Sequence, residues 1–135
     1  MKTIKRAALG GAACVAIALP AAALAAHPVK GGHYSNQKDL SFATVSKTGR
    51  RAQLEVYSKC NNGIPVKANK AGKISSHGKL TYSGSATELA TQNGTAHLSL
   101  SGKFVTRKTL KWTATVTAGS CKSTVKDTLT LMKSG

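Results

Sequence analysis

The sequence predicts an all-β fold, an antiparallel β-sandwich or flattened barrel of about 8–9 short strands held by one disulfide. Three observations predict it. Apolar residues recur at every second position, as in Leu110, Trp112, Ala114 and Val116 against Lys111, Thr113, Thr115 and Thr117. Turn residues interrupt these runs at intervals of roughly ten residues, and no helical period is sustained. Two cysteines, Cys60 and Cys121, remain once an N-terminal leader is set aside.

That leader spans residues 1–26 and has the build of a secretory signal peptide. Lys2, Lys5 and Arg6 form a positive start, an apolar stretch follows over 7–19, and Ala23-Leu24-Ala25 supplies a small-x-small cleavage site. The cut is expected after Ala25 or Ala26. The apolar run is too short and too rich in Ala and Gly to favour a membrane span. Cys14 leaves with the leader; Gly11 stands where a lipidation signal wants leucine. The expected organisation is a removed signal peptide over 1–26 and a single domain over 27–135. The product is expected to be secreted, soluble and monomeric, without a transmembrane segment after signal removal.

The strands follow in order along that domain. Leu40 and Phe42 alternate with polar neighbours, and Ser46-Lys47-Thr48-Gly49 makes a turn. Leu54 and Val56 alternate up to Cys60. Asn62-Gly63 is a hairpin dipeptide because both residues tolerate positive φ. Ile64 and Val66 follow, with Pro65 suggesting an edge. Leu80 and Tyr82 mark a further strand, and residues 85–94 form the best candidate for a longer loop or a helical turn. Ala96, Leu98 and Leu100 alternate, Phe104 begins or continues a strand after Gly102, and Leu129 and Leu131 share a face of the last strand. A Gly-Lys-apolar triplet recurs at Gly72-Lys73-Ile74, Gly78-Lys79-Leu80 and Gly102-Lys103-Phe104, read as turn-to-strand grammar.

An even cysteine count in a secreted domain reads as a disulfide, here Cys60 to Cys121. The loop it closes gives a stabilisation of roughly 4 kcal/mol on the chain-entropy model.

The layout GGHYSN, LSFATVSKTGR, LEVYSKC, ISSHGKLTYSG and LSLSGKFV, with a second Cys before the last strand, resembles a group of small secreted β-sandwich proteins of high-GC soil bacteria, of actinobacterial type. The resemblance covers most of the mature chain and implies an all-β, disulfide-linked extracellular domain. It brings no activity and no functional residues with it. This chain departs from the pattern at Leu80, which stands where the group has Phe.

Charge points to partners. The chain holds 20 Lys and Arg against 4 Asp and Glu; without Lys2, Lys5 and Arg6 the balance is 17 against 4, a net of +13. Such a field attracts anionic cell-wall polymer, acidic polysaccharide or a phospholipid surface. The candidate polyanion-binding residues are Lys103, Arg107, Lys108, Lys111, Lys122 and Lys126. Sequence-specific nucleic-acid reading is not expected, because Trp112 shares parity with the apolar face and too few aromatics remain for base stacking.

Catalysis is not expected, and no cofactor is. Ser35-x-x-Lys38 and Lys47-Thr48-Gly49 match fragments of the penicillin-recognising serine enzymes, but that chemistry needs the serine at a helix start in a large mixed domain. Four acids offer no evident pair for glycoside hydrolysis. Two alternatives stay open. Cleavage after Ala26 would expose His27, whose amine and ring, with His33, could bind copper in a metalloprotein or small oxidative enzyme. A cationic antimicrobial or toxin-like protein would use the same charge on membranes. The alternation Thr113, Thr115, Thr117, with Thr128 and Thr130 as a second row, is read as exposed strand threonines rather than as a flat binding array.

Overall fold

The computed structural model describes residues 26–36, 38, 40–60, 65–89 and 95–133. Its strands are β1 (His33–Asn36), β2 (Ser41–Val45), β3 (Arg51–Val56), β4 (Val66–Ala68), β5 (Gly72–Ile74), β6 (Lys79–Glu88), β7 (Thr95–Thr106), β8 (Thr109–Ala118) and β9 (Cys121–Lys133). Neighbours pair antiparallel, and β9 returns to pair with β1 through Thr130–Ser35 and Leu131–Tyr34. The sheet therefore closes on itself as an eight-strand antiparallel barrel with one extra strand. Closure leaves no long edge to be blunted, which a sandwich would have.

The extra strand arises where one barrel position is filled by two short strands, β4 and β5, end to end. Their register on β6 runs unshifted from Val66–Glu88 to Ile74–Leu80. On β3 it slips: the stretch from Glu55 to Ala52 is matched by the longer stretch from Lys67 to Gly72. Residues 69–71 absorb the difference.

Alternation fills the interior. Leu54, Val66, Leu80, Leu98, Leu110 and Leu129 are fully buried, with Phe104 and Tyr34 as the largest side chains among them. The Tyr34 and Phe104 rings meet edge to face at 5.2 Å. Trp112 is 3 % exposed and belongs to the core, as its parity predicts. Gly102 faces it across β7 and β8; a Cβ there would come within 2.9 Å of Trp112 Cβ and 3.0 Å of the Lys111 carbonyl oxygen.

Both ends are covered. At one, residues 26–32 form an arm: the Ala26 N–H donates to the Phe104 carbonyl, and the Val29 N–H donates to the Tyr34 hydroxyl at 2.9 Å. The Tyr34 hydroxyl in turn donates to the Arg107 carbonyl. At the other, Cys60 is joined to Cys121, with Cα atoms 5.8 Å apart. Because β3, β2, β1 and β9 are successive around the ring, this bridge runs across the barrel mouth.

Three sequence expectations change. Leu40 and Phe42 do not mark the inner face: Leu40 is 51 % exposed in a turn with φ 59°, and Phe42 is half-buried outside, stacked on His33 at 5.3 Å. Register decides this, because Ala43 sits opposite both Tyr34 and Leu54, so Ala43 and Val45 point inward. The 85–94 loop begins later than expected, since β6 continues to Glu88. Gly102 is not a turn residue but lies inside the long β7. Asn62-Gly63, Ile64 and Asn93-Gly94 lie outside the described residues.

Candidate functional site

Lysines that alternate outward on separate strands are brought opposite one another by the register. Lys79 on β6 faces Lys103 on β7, Lys103 faces Lys111 on β8, and Lys111 faces Thr128 on β9. Directly opposed residues of this kind have Cβ atoms about 4.5–5.5 Å apart. One outward row away, Arg51 faces Lys73, Lys73 faces Thr81, Thr81 faces Ser101, Ser101 faces Thr113 and Thr113 faces Lys126.

Between these rows lies the inward row Leu80, Gly102, Trp112 and Asp127. Two ridges of outward side chains, separated by a row whose side chains turn inside, make a shallow groove across the strands. Lys79, Ser101, Lys103, Lys111, Thr113, Lys126 and Thr128 line it, over a floor at Gly102, Trp112 and Asp127. A second depression adjoins it, lined by Arg51, Lys70, Lys73 and Thr81 among others, with Tyr82 at its side.

Of the described acids, two sit elsewhere and one lies at the groove floor. Glu55 faces Lys67 toward the disulfide end of β3, and Glu88 faces Val66 at the same end of β6. Asp127 is 7 % exposed; its carboxylate accepts the Trp112 Nε1–H at 3.0 Å and the Asn36 Nδ2–H at 3.1 Å. This carboxylate lies at the groove floor, beneath the ridges. Asp39 lies outside the described residues. The ridges gather positive charge from several strands, and a surface of that kind attracts polyvalent anions from solution.

The structure brings together three of the six candidate cations, Lys103, Lys111 and Lys126. Arg107 and Lys108 occupy the β7–β8 turn at the arm end, and Lys122 faces Thr117 near the disulfide. Lys79, Lys73 and Arg51 complete the groove and were missed. A signal for two of them was present: the Gly-Lys-apolar triplets carry Lys73, Lys79 and Lys103. In the first and third, glycine and the apolar residue turn inward, and the lysine between them must point out.

The other candidates scatter. His27 is exposed on the arm, and His33 Nδ1 lies 2.9 Å from Thr44 Oγ1. No group of three or more His, Cys, Asp or Glu gathers as a metal site among the described residues. Ser35 lies on strand β1, not at a helix start, and Lys47-Thr48-Gly49 forms the β2–β3 turn. Thr115 meets Thr124 at 3.0 Å, while Thr113 and Thr117 face lysines and Thr128 faces Lys111, so the threonines form no continuous second row.

No family model, curated protein or solved structure matches the chain.

Proposed function

We propose that this is a secreted, non-catalytic, disulfide-linked β-barrel that adheres to extracellular anionic polymer through the groove. The observation that carries this reading is the facing of Lys79, Lys103 and Lys111 across three adjacent strands. Arg51, Lys73 and Lys126 add to the same surface, and a positive surface of this extent draws polyanions. The leader over 1–26 and the net positive charge support the extracellular, polyanion-rich setting.

The test is retention on immobilised heparin and on phosphocellulose. The wild-type chain is expected to elute only at raised salt, because each neutralised anion releases a counterion. Elution at the salt of a neutral protein of the same size would sink the reading.

A phospholipid surface is the second reading. Val105 and Met132 are exposed apolar residues at the arm end, beside the turn cations Arg107 and Lys108. The Leu131 N–H donates to the Lys108 carbonyl at 2.8 Å, which holds Met132 next to that turn. Leakage of anionic vesicles would favour this surface; vesicles left intact while heparin is bound favour the groove.

A further inference from the structure

We infer that the groove is a track for a linear phosphate polymer that runs across the strands, from Arg51 on β3 to Lys126 on β9. This rests on the adhesion reading above and names the ligand class and its direction.

The direction follows from the ridges. Side chains on one outward row stand side by side along the sheet, perpendicular to the strands. The two rows carry their cations over β3, β5, β6, β7, β8 and β9. Six strands at a spacing of about 4.8 Å give a track of about 24 Å along the backbone, an arc that bends with the closed wall. The two depressions lie along this line, one at Arg51 and Lys73, the other at Lys103, Lys111 and Lys126. A chain lying along a strand would meet few cations before leaving the barrel; one crossing the strands meets a cation on most of them.

The class follows from what stands between the cations. Thr81, Ser101, Thr113 and Thr128 are short hydroxyl side chains, suited to hydrogen bonds with phosphate oxygens. Lysine ammonium groups act on phosphate as point charges, which suits a flexible chain without fixed planar geometry. Nucleic-acid bases stack on exposed aromatic faces. Trp112, at the groove floor, is 3 % exposed, and Tyr82, at the side of the second depression, is partly buried and packed against the core. The groove therefore answers to a repeated anionic backbone and not to stacked bases.

The experiment measures affinity for inorganic polyphosphate of defined lengths, using the full secreted chain. Three proteins are compared: wild type, K79Q/K103Q/K111Q, and K47Q/K59Q/K122Q, which loses the same charge away from the groove. Circular dichroism confirms that all are folded. Wild-type affinity is expected to rise with chain length and level off once the polymer spans about 24 Å. Six phosphate contacts predict a slope of log K against log salt of about −4. The groove variant is expected to lose at least about tenfold, and the control under about threefold, if positioned contacts rather than net charge set affinity.

Equal losses in both variants would overturn the track and the groove as the place of adhesion, and leave standing only adhesion by net charge. Heparin fragments binding far more tightly than polyphosphate of equal charge would overturn the phosphate class. Vesicles of anionic phospholipid bound equally well by wild type and groove variant would overturn the location. No binding to polyphosphate or heparin by the wild type would remove both the track and the reading beneath it.

Discussion

Tyr34 is the residue on which the arm end depends. It is fully buried, packs edge to face on Phe104, accepts from Val29 and donates to Arg107. Tyr34→Phe keeps the ring and removes both bonds, leaving the Val29 N–H and the Arg107 carbonyl without this partner. The expected cost is about 1–3 kcal/mol in urea unfolding. Burial also holds the Tyr34 hydroxyl above its ordinary pKa of 10.0, against smaller opposing effects of the Val29 N–H and the Arg107 charge. Above pH 10 the unfolded chain therefore binds fewer protons than the folded one, and stability falls as pH rises. The stability gap between wild type and Tyr34→Phe should be constant below pH 10 and narrow above it, as the pH climbs through the raised value in the folded protein. An unchanged gap at strongly alkaline pH would rule this out.

At the scale of elements, the groove is a consequence of pairing among β6, β7, β8 and β9. Gly102 permits the close packing of β7 on Trp112, and that row turned inward is what separates the two ridges. Lys111 stands directly opposite Lys103, and like charges so placed repel one another. Lys111→Thr, which extends the threonine alternation of β8, should raise stability by about 0.2–1 kcal/mol at low salt. The electrostatic part of that gain should fade as the screening length drops from about 30 Å at 0.01 M salt to about 3 Å at 1 M. The same substitution is expected to weaken polyphosphate binding. Gain of stability with loss of binding is the pattern of residues kept for function; a loss of both would mark Lys111 as structural instead.

At the scale of the molecule, closure and the disulfide share the work of making a small barrel stable. The bridge separates Cys60 and Cys121 by 61 residues in sequence. Replacing both with serine should cost about 4 kcal/mol on the chain-entropy model, a large share of the usual 5–15 kcal/mol of a domain. Urea unfolding with and without reductant measures it, and a loss near zero would mean that closure by β9 and β1 alone holds the mouth. The groove is built from registers on β3 and β5 to β9 and its lining does not include the bridge, so a disulfide-free protein that still folds should keep its polyphosphate affinity.

Much of this was legible in the chain, and the limit has a physical origin. Alternation is local: it places Trp112 inside and Lys111 outside whatever the neighbours are, and it announces strands at Leu54, Leu98, Leu110 and Leu129. It misled at Leu40 and Phe42, where the pattern is short and the inward parity was set by Tyr34 and Leu54 on the flanking strands. The pairing of Cys60 with Cys121 needed no geometry, since only these two remained. By itself, then, the sequence determined that the protein is all-β, basic and singly bridged, and that Lys73, Lys79, Lys103, Lys111 and Lys126 point outward. Only the tertiary structure decided that the sheet closes, that Lys79, Lys103 and Lys111 stand on facing positions with Lys73 and Lys126 one row away, and that Arg107, Lys108 and Lys122 lie apart. Register between strands is non-local; it depends on turn lengths and on β9 meeting β1, and no period within one strand encodes it.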